Sequence, residues 1–244
     1  MRQVLTGLVF AALTATSAQA QETARGQGAH MTPTVVVELF TSQGCSSCPP
    51  ADALMAELSE LDGILPLSLH VDYWDYIGWK DAFAQAKFTD RQRAYARAAG
   101  ERSIYTPQMI VQGVDHVVGF KPMVLAEQIT RRQAQSGAVP VTLHAVKQGT
   151  SLEISAQATG ALPPKMVVQL VRFDPHHRIE IRRGENAGRI VDYTNTVTEW
   201  TPVADWDGKA PLSLVVPIVC EARAAVILQV REAGAIVAAV VADN

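Results

Sequence analysis

The sequence predicts an α/β domain of element order β-α-β-α-β-β-α, followed by an all-β antiparallel sandwich. Three observations carry that expectation. Between residues 34 and 136, continuous apolar runs alternate with stretches whose apolar residues recur at helical spacing. After about Gly137 the rhythm changes to short period-two segments, roughly ten residues apart and divided by turn residues. A pair of cysteines, Cys45 and Cys48, stands between the first apolar run and the first helical pattern.

The elements follow in order. Thr34–Phe40 reads T-V-V-V-E-L-F, a β-branched run suited to a buried strand. T-S-Q-G-C-S-S-C-P-P is a turn, after which Leu54, Met55, Leu58 and Leu61 mark a helix that Asp62-Gly63 stops. Ile64–Val71 is a second strand, and Asp72–Lys87 is an aromatic-rich connection. Thr89 or Asp90 is placed to cap a second helix through Ala99, with Gly100 beyond its end. Pro107 opens a third strand, Q-M-I-V, and His116–Phe120 gives a fourth. Pro122 starts a helix that turns Leu125 and Ile129 inward. Strands are then expected at Val141–Val146, Leu152–Ala158, Val167–Phe173, Leu212–Ile218, Val226–Val230 and Ile236–Val240. The domain boundaries that follow are 33–137 and 138–244.

Composition excludes several classes. Of 244 residues, 48% are apolar and 18% charged, which is not the balance of a disordered chain. The net charge of -3 provides no basic excess, so no nucleic-acid partner is expected. Residues 1–20 read as a signal peptide: Arg2, then the apolar Val4–Ala15, then Ala18-Gln19-Ala20. The apolar stretch is short of the ~20 residues that span a bilayer. Residues 21–32 read as a flexible leader. The expected compartment is periplasmic or extracellular, with no integral membrane segment after cleavage, and disulfides persist there.

Two cysteines separated by two residues at the start of a helix sit close enough to bond or part. Unpaired backbone N–H groups and the helix dipole favour the thiolate at Cys45, the species that attacks in thiol–disulfide exchange. Cys48, deeper in the helix, is placed to resolve the mixed disulfide. Glu38 interrupts an apolar strand; it is either buried with a raised pKa or edge-facing and solvated.

This strand, C-x-x-C, helix unit, with the Thr106-Pro107 step that opens the third strand, resembles the thioredoxin superfamily over about Thr34 to Gln135. The resemblance implies a thioredoxin-like fold for 33–137, a cis Thr106–Pro107 bond, and a substrate contact shaped by Pro107. It also implies a buried carboxylate serving the deeper thiol as proton acceptor, a role that falls on Glu38, although the matching offset in thioredoxins is one residue shorter. Gly44 replaces the tryptophan before the first cysteine, and Ser46-Ser47 replaces Gly-Pro. A closer resemblance is to the bacterial and plant family called domain of unknown function 1223. The segments that carry it are E-L-F-T-S-Q-G-C-S-S-C-P-P, H-V-D-Y-W-D-Y-I-G-W-K-D, Y-T-P-Q-M-I-V and R-G-E-N-A-G-R.

The leading functional expectation is a thiol–disulfide oxidoreductase acting on protein or peptide thiols and disulfides through Cys45, Cys48, Pro107 and Glu38. A second is copper binding or metallochaperone activity through Cys45, Cys48 and His70, since soft thiolates and an imidazole suit Cu(I). A third is a non-enzymatic binding module in which the disulfide is a brace. Tyr73, Trp74, Tyr76 and Trp79 either line a groove or pack on the sheet. The Arg182–Arg189 loop is either an anion site or a paired surface loop docking on the first half. His176 and His177 alternate in direction and make a poor chelate. Cys220 reads as a small buried residue or a free thiol.

Overall fold

Seven consecutive residues, Val35–Thr41, are wholly buried and form the strand β1. The computed structural model describes residues 34–136, 140–218 and 223–242; the expected signal peptide, the leader and Cys220 lie outside them. β1 is flanked by the parallel β2 (Ile64–His70), in register from Val35 opposite Ile64 to Thr41 opposite His70, and by the antiparallel β3 (Gln108–Val111). The helix α1 (Pro49–Ser59) connects β1 to β2. The first half is completed by α2 (Ala86–Ala98), β4 (Asp115–Val118) and α3 (Pro122–Ser136).

The two faces of β1 are assigned by the period-two rule. Val35, Val37 and Leu39 meet Ala51, Met55 and Leu58 of α1 and Leu125 and Ile129 of α3. Val36 and Phe40 meet Phe88 and Tyr95 of α2, together with Leu65, Leu67 and Leu69 of β2. A one-residue slip would exchange these two sets, so the register of β1 is strongly specified.

The second half contributes β5 (Val141–Gln148), β6 (Ser151–Ala158), β7 (Met166–Glu180), β8 (Ile190–Trp206), β9 (Leu212–Pro217), β10 (Arg223–Val230) and β11 (Ile236–Val241). The architecture is a large mixed sheet, ordered β11-β10-β7-β8-β2-β1-β3-β4, and a separate antiparallel sheet, β5-β6-β9. Leu143, Leu152 and Ile154 of the small sheet pack against Val168, Leu170, Val226 and Leu228 of the large one. Strands from before and after residue 137 thus share one hydrogen-bonded sheet.

The join is made by β8, which the sequence reading does not anticipate. It runs antiparallel to β7 and parallel to β2, with Ser68 opposite Thr196. Where it meets β2 it buries the polar run Thr194–Thr196, and two hydrogen bonds tie that run down: Ser68 Oγ donates to the Thr194 carbonyl at 2.8 Å, and Asn195 Nδ2 donates to the Pro66 carbonyl at 2.9 Å. A strand buried through polar contacts lacks the apolar alternation by which strands are usually recognised. Two further boundaries differ. α2 begins at Ala86, and Thr89 lies inside it, donating to Asp72 Oδ1 at 2.5 Å rather than capping the helix. Leu61 falls beyond the end of α1 and is 53% exposed.

Truncating the centre of β1 tests this account of the core. Leu39→Ala is expected to lower the unfolding free energy by about 2–5 kcal/mol, read from urea denaturation midpoints at unchanged slope.

Candidate functional site

β1 and β2 end side by side at Thr41 and His70, and the loop leaving β1 carries the two thiols to the start of α1. Cys45 N–H donates to the Ser42 carbonyl at 3.0 Å, and Cys48 N–H to the Cys45 carbonyl at 3.2 Å. These turns bring the two residues to a Cα–Cα distance of 5.4 Å, and they are joined as a disulfide. Cys48 is the N-cap of α1 and Pro49 follows at the position where a missing N–H costs least. Cys45 is 2% exposed and Cys48 fully buried, whereas Ser46 and Ser47 between them are exposed. Ser47 Oγ lies 3.5 Å from Cys45 Sγ and 3.5 Å from the Thr106 carbonyl. The Thr106–Pro107 bond is cis, as the resemblance implies, and Trp74 Nε1 donates to Thr106 Oγ1 at 2.8 Å.

Glu38 is buried, but it belongs to the other face of the sheet. Arg91 grips its carboxylate from Nε and Nη2 at 2.6 and 2.9 Å, and Tyr95 donates to it at 2.6 Å. The reason is parity. Glu38 points with Val36 and Phe40 toward α2, whereas Thr41, an odd number of residues on, points toward α1.

The carboxyl group on the thiol side is Asp52. It lies one helical turn beyond Cys48 on α1, fully within the interior, and accepts a hydrogen bond from Thr41 Oγ1 at 2.7 Å. Burial pushes its pKa up to about 7, against the opposing effects of the Thr41 hydrogen bond and nearby His70. His70 Nδ1 meets Asp81 Oδ2 at 2.7 Å. Burial alone would raise the pKa of Asp81, but His70 and the N–H groups of Gln43 and Phe83 outweigh it and hold that carboxyl below its usual range. Tyr193, edge-on to His70 at 4.8 Å between ring centres, has its pKa raised by burial and by the charges of Asp52 and Asp81.

The Arg182–Arg189 loop docks on this assembly. Asn186 Nδ2 donates to the carbonyls of Gln43 and Cys45 at 2.9 and 2.8 Å, one on each side of Gly44. Gly184 has φ +75°, and a Cβ there would meet Trp79 Cβ at 3.3 Å. Four buried polar atoms from these residues, Gln43 Nε2, Asp52 Oδ2, His70 Nε2 and Asn186 Oδ1, have no hydrogen-bond partner among the described residues.

The structure therefore brings together Cys45, Cys48 and the Thr106–Pro107 step, and places Glu38 elsewhere. It adds Asp52 and Asp81, which sequence reasoning missed, and Asn186, from the loop whose docking on the first half was one of the expected alternatives. The available signal for Asp52 was a charged residue at an inward helical position, beside Ala51 and one turn before Met55. Of the aromatic residues, Tyr73, Trp74 and Trp79 pack or hydrogen-bond inward, and Tyr76 is 81% exposed. His70 is engaged by Asp81, and no group of three His, Cys, Asp or Glu converges to hold a metal ion among the described residues. His176 and His177 pair with Asp192 and Asp174 instead of with each other.

The fold and site define a mixed α/β protein with a disulfide at the start of its first helix. The family model described as "Protein of unknown function (DUF1223)" matches residues 36–231, and the chain belongs to that family. A crystal structure of a protein from Agrobacterium tumefaciens is 32% identical, with a TM-score of 0.75; the match covers 87% of this chain and 95% of that one. HBP35 of Porphyromonas gingivalis shares the fold at a TM-score of 0.61 and 13% identity, over 86% of this chain and 74% of that one. No curated protein matches.

The position of Asp52 has a consequence for stability. Its pKa is raised on folding, so between about pH 4 and pH 7 the folded state holds the proton that the unfolded state has lost, and stability falls as pH rises through this window. Asp52→Asn is expected to flatten this part of the stability–pH curve, as measured by urea denaturation from pH 4 to pH 8. An unchanged slope would show that Asp52 ionises normally.

Proposed function

We propose that the protein is an extracytoplasmic thiol–disulfide oxidoreductase with a thioredoxin-like first half and a β-sandwich second half, acting on protein or peptide thiols and disulfides. The observation that carries this reading is the Cys45–Cys48 disulfide at the first turn of α1, beside cis Pro107 and under the exposed Ser46-Ser47 pair. The compartment rests on Arg2, the Val4–Ala15 apolar stretch and Ala18-Gln19-Ala20.

In the reduced protein, the Cys45 thiolate attacks one sulfur of a substrate disulfide, forming a mixed disulfide and releasing one substrate thiolate. Cys48 then gives its proton to the Asp52 carboxylate and attacks Cys45 Sγ. The Cys45–Cys48 bond forms, the second substrate thiolate leaves, and two electrons have passed to the substrate. Run in reverse, the same steps oxidise a dithiol. A carboxyl whose pKa lies near 7 is matched to this exchange at neutral pH. Asp52 takes the part that the thioredoxin resemblance implies for Glu38, because it shares a face and a helix with Cys48.

Reduction of insulin, or of a small aromatic disulfide, tests the reading. Wild type is expected to accelerate it, Cys45→Ser to return it to background, and Asp52→Asn to slow the resolving step by about 10²-fold near pH 7. Equal rates for wild type and Cys45→Ser would contradict the proposal.

A further inference from the structure

Between the end of α2 and the segment leading to Pro107 lies a concavity of about 250 Å³ lined by Arg93, Arg97 and Arg102, together with Glu101 and Ile104. Its charge stands out in a chain whose net charge is -3. Arg97 and Arg102 are exposed and form no ion pair among the described residues. Arg93 is paired only with the exposed Asp90, at 3.1 Å, and Glu101 is turned toward His116 at 3.5 Å. Arginines left unpaired beside one another repel, so they attract an external anion.

The concavity is linked to the thiols by a short run of chain. Ile104 lies two residues before Thr106, whose carbonyl is 3.5 Å from Ser47 Oγ, itself 3.5 Å from Cys45 Sγ. Gly119 N–H donates to the Pro107 carbonyl at 2.9 Å, and its neighbours Val118 and Phe120 are exposed. The cis proline beside the disulfide thus has exposed apolar residues next to its carbonyl partner and an arginine-lined concavity a few residues up the chain. A free inorganic anion would engage the arginines but leave Val118 and Phe120 uncovered. A polypeptide with both apolar and acidic side chains covers both.

We infer that the substrates are acidic polypeptides: their carboxylates seat at Arg93, Arg97 and Arg102 while their sulfur meets Cys45. This inference rests on the oxidoreductase reading and narrows it to a substrate class. Charge pairs at a rim act mainly on encounter and weaken with salt.

The test uses the full reduced protein and two peptides sharing one intramolecular disulfide and the same apolar residues, one flanked by four glutamates and the other by four serines. Wild type is expected to reduce the acidic peptide about tenfold faster in kcat/KM at low ionic strength. That preference is expected to vanish in 0.5 M NaCl and in the double variant Arg97→Glu, Arg102→Glu, which should reduce a small uncharged disulfide at the wild-type rate. Equal rates for the two peptides, or a preference retained in the double variant, would overturn the inference. If no disulfide reacts, the oxidoreductase reading fails; docking is then read from tryptophan fluorescence on adding the acidic peptide to the oxidised protein. A saturable change lost in the double variant sustains the basic docking site, and no change removes it.

Discussion

Strand β1 is sealed on both faces, and the loop leaving it must satisfy its polar groups without water. A buried N–H or carbonyl without a partner costs about as much as a lost hydrogen bond. Residues 42–45 meet most of this demand by borrowing partners from distant segments. Asp81 accepts from Gln43 N–H, Trp79 donates to the Gln43 side chain, and Asn186 donates to the carbonyls on either side of Gly44. The disulfide is held by the connection after β2 and by the turn between β7 and β8 as much as by α1. This is why the second half cannot be read as an appendage: β8 and the Arg182–Arg189 loop complete the ground on which the thiols stand.

The same sealing separates two carboxyl groups that the sequence does not distinguish. Glu38 is buried against Arg91, which also covers the Trp200 ring at 3.7 Å and belongs to a network with Tyr95, Gln229 and Gln169. A cation at bidentate distance satisfies that carboxylate and keeps it structural. Asp52 has one hydroxyl partner and no cation at contact distance, so burial dominates and its proton is retained to near neutrality. The two acids differ in company more than in depth: Glu38 faces a guanidinium, and Asp52 a single hydroxyl. His70 and Asp81 lie beside Asp52 and complete the electrostatic surroundings of that proton.

Much of the first half was legible in the sequence because its strands and helices are buried by apolar residues at regular spacing. β1, β2, α1 and α3 follow from that pattern, and the cysteine pair followed from its place between a strand and a helix. β8 was not legible, because Thr194, Asn195 and Thr196, where it meets β2, are buried polar residues that leave no hydropathy signal. Asp52 was missed for a related reason: a lone polar residue at an inward position looks like a surface residue until its partners are known. Glu38 was correctly marked as unusual, but its face depends on a parity count that a single inserted residue reverses.

The central claim is that the Cys45–Cys48 bond is poised to open and close in exchange with other thiols. Its equilibrium reduction potential, measured in thiol buffers at pH 7 with the full chain, tests this most directly. The account predicts a potential above about −300 mV, within reach of biological thiols. A potential well below about −300 mV would contradict it and make the bond a permanent brace.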